Sequence, residues 1–291
     1  MFGLSNLLET DIQFFPSRDD CVQNYEKLPW IQKVITFFES LGNQLICKVG
    51  LLFQPSIEPL TNPDSIDLSK KKLIVCIHGV YGSPSELKTL VHELQAKDPS
   101  QESTIFVPRV LARGADPLDQ MASEIFASIQ KWALEGPSGK ELVLVGVSNG
   151  ARISRAIETR LIKETRANIE RLRVVSVVGA RRGSSLVNLA NYLGLSWAIS
   201  KPLSEEMPKN SNRNEALDQQ WKQWIGQLGG LKCDFTFLAS PYDAHVPDRD
   251  SSLPPISEGH IPVRYGFVMK HGHFTAVDGA AKTIANLIFG R

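Results

Sequence analysis

Leu142-Val143-Leu144-Val145-Gly146-Val147-Ser148-Asn149-Gly150 is the stretch on which the reading of the whole chain turns. Its first four residues are apolar and half of them β-branched, as in a strand buried on both faces of a sheet. Gly-x-Ser-x-Gly follows without a spacer, and a helix from Arg152 to about Thr165 comes next. A strand that turns straight into a helix strains its central residue and leaves no room for side chains two positions before and after, which glycines at 146 and 150 satisfy. The Ser148 hydroxyl then stands clear of the backbone, over a helix N-terminus that favours developing negative charge.

Upstream, Leu73–Ile77 reads as another buried strand, and Ile77-His78-Gly79-Val80-Tyr81-Gly82-Ser83 closes it. Its glycines allow a tight turn beside the nucleophile, where the amides of Val80 and Asn149 can form a two-donor oxyanion hole. His78 reads as a loop brace rather than a base. Ser83-Pro84-Ser85-Glu86 has the pattern of a capping box opening a helix to about Lys97. Strands are expected at Thr104–Val107, Val174–Val178, Phe235–Leu238 and Val263–Met269, and helices after Asp116-Pro117 and over Thr275–Phe289. Alternating strands and helices predict an α/β class with a mostly parallel sheet covered on both faces.

Residues 71–291 read as one catalytic domain, with 1–70 as an N-terminal helix (Pro29, Trp30, Ile31, Val34, Ile35, Phe38) and early strands (Gln44–Phe53) against the core. The connection at about 180–232 exceeds fifty residues, so it is expected to be a helical cap. Leu217, Trp221, Trp224, Ile225 and Leu228 share one helical face there. Its apolar side chains, Leu186, Leu189, Tyr192, Leu193, Leu195, Trp197 and Ile199 among them, either line an acyl pocket or seal the cap to the sheet. Tyr81, Leu186 and Trp197 are the expected substrate contacts. A Trp-bearing amphipathic helix also suits peripheral membrane contact through the cap.

His-Gly-x-x-Gly-Ser after one strand, with Gly-x-Ser-x-Gly about seventy residues on, resembles the α/β-hydrolase superfamily and its lipase/esterase-like branch. The resemblance covers about residues 72–291. Gly179-Ala180-Arg181-Arg182-Gly183-Ser184-Ser185 is partly similar to the Thr-Pro-His-x-Gly-Ser segment of many lipases but lacks the Pro and the His. Read alone, Arg181-Arg182 is expected to be a solvated pair. The superfamily's chain order, nucleophile, acid, base, implies Ser148 as nucleophile and Asp243 as acid, since Ser240-Pro241-Tyr242-Asp243-Ala244-His245-Val246-Pro247 resembles the family's acid turn. Asp248 and Asp250 read as turn residues. Gly272-His273-Phe274 matches the family's Gly-His-aromatic base, with His271 as the alternative. His245 lies too near the acid to be oriented by it easily, and it reads as loop structure or pocket mouth. His92 and His260 read as surface or loop.

Thirty-two Lys and Arg against 31 Asp and Glu give a net charge of +1, which argues against nucleic acid. No run approaches the roughly 20 apolar residues of a membrane span. Met1–Asp11 lacks the basic start and apolar run of a secretory signal, so a cytoplasmic protein, or one exported without a classical signal peptide, is expected. Cys21, Cys47, Cys76 and Cys233 show no CxxC or metal-ligand spacing and read as reduced structural thiols. The histidines form no HExxH pattern. No metal and no cofactor is expected. The expected activity is serine-hydrolase cleavage of a small-molecule or lipid ester through an acyl-enzyme. The alternatives are a thioesterase or acyltransferase using the same residues, or an inactive binding scaffold of this fold.

Overall fold

The computed structural model describes residues 12–26, 66–164, 168–194, 199–228, 230–243, 245–256 and 261–290. The expected helix from Pro29 and the strands over Gln44–Phe53 lie outside the described residues, as do Trp197 and His260.

Among the described residues, seven strands form one sheet in the order β1-β7-β6-β5-β4-β2-β3. They are β1 (Ile12–Phe15), β2 (Lys72–Ile77), β3 (Ser103–Phe106), β4 (Lys140–Val147), β5 (Ile169–Val177), β6 (Lys232–Ala239) and β7 (Val263–Val268). All neighbours pair in parallel except β1, which runs antiparallel along β7 with Ile12 opposite Val268 and Phe15 opposite Tyr265. This edge strand escaped the sequence reading, since four residues are too few for a periodicity to declare itself. The central strands are buried along nearly their whole length, as their unbroken apolar runs require.

Alternate side chains of each strand enter one of two cores. On one face, Leu73, Val75, Leu142, Leu144 and Phe235 meet α3 (Leu118–Leu134), α4 (Asn149–Glu164) and α7 (Asn212–Ile225). On the other, Ile74, Cys76, Val143 and Val145 meet α2 (Lys88–Lys97) and α8 (Ala276–Phe289). A short helix α1 (Arg18–Glu26) follows β1, and α5 (Ser185–Tyr192) and α6 (Lys201–Glu206) lie in the long connection. Ser83 does not cap a helix through its side chain: its hydroxyl lies 2.5 Å from that of Ser85, and a 3-10 turn over Pro84–Leu87 precedes α2.

The long connection is therefore not all cap. Its last helix, α7, lies on the sheet face beside α4 as the crossover between β5 and β6. Trp221 and Trp224 are 3% and 4% exposed, with ring centroids 5.9 and 6.4 Å from that of Phe235. Of the two roles open to these tryptophans, the geometry matches sealing against the sheet; neither faces solvent as membrane contact through this helix would need. Cys21, Cys76 and Cys233 are free and buried, and burial pushes each thiol up to about 12. Among the described residues no helix is long and apolar enough to cross a membrane.

Candidate active site

Ser148 has φ +54°, a left-handed value few non-glycine residues adopt, between the end of β4 and the first turn of α4. Its N–H donates to Val177 O at 3.0 Å and its carbonyl accepts from Ala180 N–H at 3.0 Å, so the neighbouring strand and its exit loop hold the strained turn. A Cβ on Gly146 would lie 2.5 Å from Ala151 Cα, and one on Gly150 2.1 Å from Ile77 O. The glycine spacing is thus a requirement of packing.

The loop after β2 is equally close. A Cβ on Gly79 would stand 2.8 Å from Ser148 Cβ and 3.2 Å from Ser148 Oγ. His78 is the brace expected of it: Nδ1–H donates to Gly79 O at 2.9 Å, while Nε2 accepts from Val110 N–H at 3.4 Å. Burial drives its pKa down to about 4. Among the described residues, neither the Val80 nor the Asn149 amide is spent in a hydrogen bond within the fold. The Asn149 side chain, fully buried, donates to Gly114 O at 3.0 Å and ties the elbow to the Leu111–Gly114 turn. Tyr81 is held at φ +56° by its N–H to Arg113 O, 2.7 Å.

At the carboxyl end of β6, Asp243 is 4% exposed, and both its oxygens are occupied. Oδ1 accepts from His245 N–H at 2.8 Å and Val246 N–H at 3.1 Å; Oδ2 lies 2.9 Å from His273 Nδ1, carried on the loop after β7. Burial would raise the carboxyl's pKa, but the charge and N–H of His273, aided by His245 and the Val246 amide, hold it below the ordinary carboxylate range. His245 stacks on His273 with centroids 4.6 Å apart and planes inclined 29°. Burial pushes the pKa of His245 down to about 3, with the charge on His273 adding to the shift. The carbonyl of His271, the alternative base, accepts from Ser240 Oγ at 2.5 Å, and its ring lies against Gly279 of α8. Asp248 receives the Ser185 N–H at 2.7 Å and Lys209 Nζ at 3.2 Å, and Asp250 pairs with Arg18 at 2.5 Å; among the described residues neither carboxylate is hydrogen-bonded to His273. Among the described residues Ser148 Oγ makes no hydrogen bond, to His273 or otherwise. Such contacts commonly tighten only when substrate is bound.

Beside these loops lies a small apolar nest of Ala115, Ala180, Leu203, Met207 and Val246, against which Val80, Tyr81 and Val187 pack. Leu186, an expected substrate contact, is half-buried on α5, and its neighbour Val187 packs against this cluster. Leu203, Met207 and Val246 carried no signal beyond being apolar. A groove of about 580 Å³, lined by Lys70, Lys72, Lys97 and Glu141 among others, lies at the amino end of β2 and β3. Open parallel sheets bind ligands at the opposite, carboxyl end.

The arginines after β5 correct the expectation of a solvated pair. Arg181 is 1% exposed and binds both carboxylate oxygens of the buried Glu158 at 2.8 Å, while Arg182 is half-buried near Asp218. Trp221 Nε1 donates to Glu158 Oε2 at 2.6 Å, and Arg155 reaches Arg181 O at 3.1 Å and Asp218 at 2.6 Å. Arg152 donates to Asn214 Oδ1 at 2.7 Å and Glu206 O at 2.9 Å. The helix that begins just after Ser148 thus clasps α6 and α7.

No family model and no curated protein matches the chain by sequence. Solved structures do match it in fold. HSL-homolog EstE7 from a metagenome library superposes with a TM-score of 0.54 at 16% identity, covering 94% of this chain and 98% of that one. Lipase B of Aspergillus fumigatus gives 0.51 at 13%, covering 76% and 52%. The metagenome-derived lipolytic enzymes LipS and LipT are represented at 0.50 and 15%, covering 81% and 97%. The chain has the α/β-hydrolase fold.

Proposed function

We propose that this α/β-hydrolase-fold chain is a serine hydrolase that cleaves carboxylic esters, with Ser148 as nucleophile, His273 as base and Asp243 as its orienting acid. The observation that carries the reading is the 2.9 Å contact between His273 Nδ1 and Asp243 Oδ2, both buried. With Nδ1–H donated to the carboxylate, Nε2 is left as the proton acceptor. The reading requires Ser148 Oγ to reach His273 Nε2 when substrate is bound, the state in which catalytic hydrogen bonds tighten.

Ser148 Oγ attacks the ester carbonyl as its proton passes to His273 Nε2. The Val80 and Asn149 amides stabilise the oxyanion, each contributing about 3 kcal/mol in comparable sites. His273 then protonates the departing alcohol, leaving Ser148 acylated. A water molecule, deprotonated by the same nitrogen, releases the acid and restores the hydroxyl. The apolar side chains that the long connection leaves accessible, Leu186, Leu189, Tyr192 and Leu193, favour an acyl or other apolar group over a sugar or peptide.

Hydrolysis of p-nitrophenyl esters from acetate to palmitate tests the reading. Turnover should peak at one acyl length and fall by orders of magnitude in Ser148→Ala without loss of the folded state. Equal turnover by the alanine variant would refute it.

A further inference from the structure

The acid–base pair has a third potential metal donor beside it. Asp243, His245 and His273 are 4%, 9% and 9% exposed, and one donor atom from each lies within 4.8 Å of the other two. Two imidazoles and a carboxylate are a donor set suited to zinc and neighbouring divalent ions. Bonds of about 2.0–2.2 Å place tetrahedral ligand atoms roughly 3.3 Å apart. Asp243 Oδ2 and His273 Nδ1 stand 2.9 Å apart across a hydrogen bond that an ion would replace, and His245 must turn out of its stack on His273 to bring a ring nitrogen to the same point. The backbone around His245 is fixed for this: its N–H binds Asp243 Oδ1 and its carbonyl accepts from Ser184 Oγ at 2.7 Å.

We propose that Asp243, His245 and His273 form an inhibitory site for a divalent transition-metal ion, with Zn²⁺ as the probe. Inhibition rests on His273 being the base, as argued above; binding does not. Spending either ring nitrogen on a metal ends that service. At Nε2 the lone pair that would accept the serine proton is consumed. At Nδ1 the ring proton is displaced to Nε2, which turns an acceptor into a donor. An Asp–His pair alone is a weak two-donor chelate, and His245 makes it a three-donor site with a position left open.

Calorimetric titration of the chelator-dialysed full chain with ZnCl₂, run beside p-nitrophenyl ester turnover, decides the matter. One saturable site is expected, with activity lost as it fills and restored by EDTA. His245→Phe keeps a ring against His273 but offers no donor. There, binding and inhibition should both weaken at least about tenfold, since even groups behind the ligands alter affinity by that much. His245→Gln serves if the phenylalanine variant does not fold. Absence of saturable binding to the parent chain overturns the proposal, and so does unchanged Zn²⁺ affinity in both His245 variants. A chain that binds Zn²⁺ through His245 yet cleaves no ester would keep the site and refute the hydrolase reading instead.

Discussion

Arg181 and Glu158 meet in two parallel hydrogen bonds of 2.8 Å with both side chains out of water. The pair joins the exit loop of β5 to the helix that starts just after Ser148, and Trp221 of α7 donates into it. Removing one partner of such a pair strands a buried charge, at a cost of about 3–5 kcal/mol. Urea unfolding of Glu158→Ala should show a loss of that size. The double replacement Glu158→Leu with Arg181→Met should recover most of it, because the charges leave together.

Gly79→Ala places a methyl group against the nucleophile. Its Cβ would lie 2.8 Å from Ser148 Cβ, so the serine must shift or turn. A displacement of about 1 Å at a reacting atom costs on the order of 10²-fold in rate. Ester turnover should fall by about that factor, while the melting temperature moves by only a few degrees.

Asp243→Asn keeps the shape of the acid but removes the acceptor that fixes the His273 tautomer. Turnover should drop by about 10⁴-fold with the fold retained. Steady-state kinetics on the preferred ester reads this directly, and a loss under tenfold would remove Asp243 from its role.

His78 titrates near pH 4 when folded, against 6.5 for the free side chain. Between those values the unfolded chain binds a proton that the folded chain refuses, so stability rises with pH there. This contribution is complete above about pH 6.5 and is lost as pH falls toward 4, amounting to about 3 kcal/mol at the limit. His245, driven to about 3, acts with the same sign. Urea midpoints measured from pH 7.5 to 4.5 should decline, and His78→Asn should flatten part of that slope.

Much of this was legible in the chain because single patterns fixed it. Four apolar residues before Gly146, half of them β-branched, read as a buried strand, and the steric demand at Ser148 calls for glycine on both sides. Asp243 and His273 were found by chain order after the resemblance was recognised, and they do meet. Other features depended on contacts between distant segments. Nothing local distinguishes Arg181, buried against Glu158, from Arg182, half exposed beside it. Trp221 and Trp224 carried a correct helical face whose partner, Phe235, could not be named. Leu186 and Val187 are both apolar neighbours on α5, and the direction of the helix decides which one packs against the nest.

The central claim is that Ser148 is a nucleophile activated by His273. Intact mass and peptide mapping after reaction with a fluorophosphonate measure it most directly. A single adduct on Ser148 is expected, absent in Ser148→Ala and formed at least 10²-fold more slowly in His273→Ala. No adduct on the parent chain, or equal labelling of the alanine variant at position 148, would contradict the account.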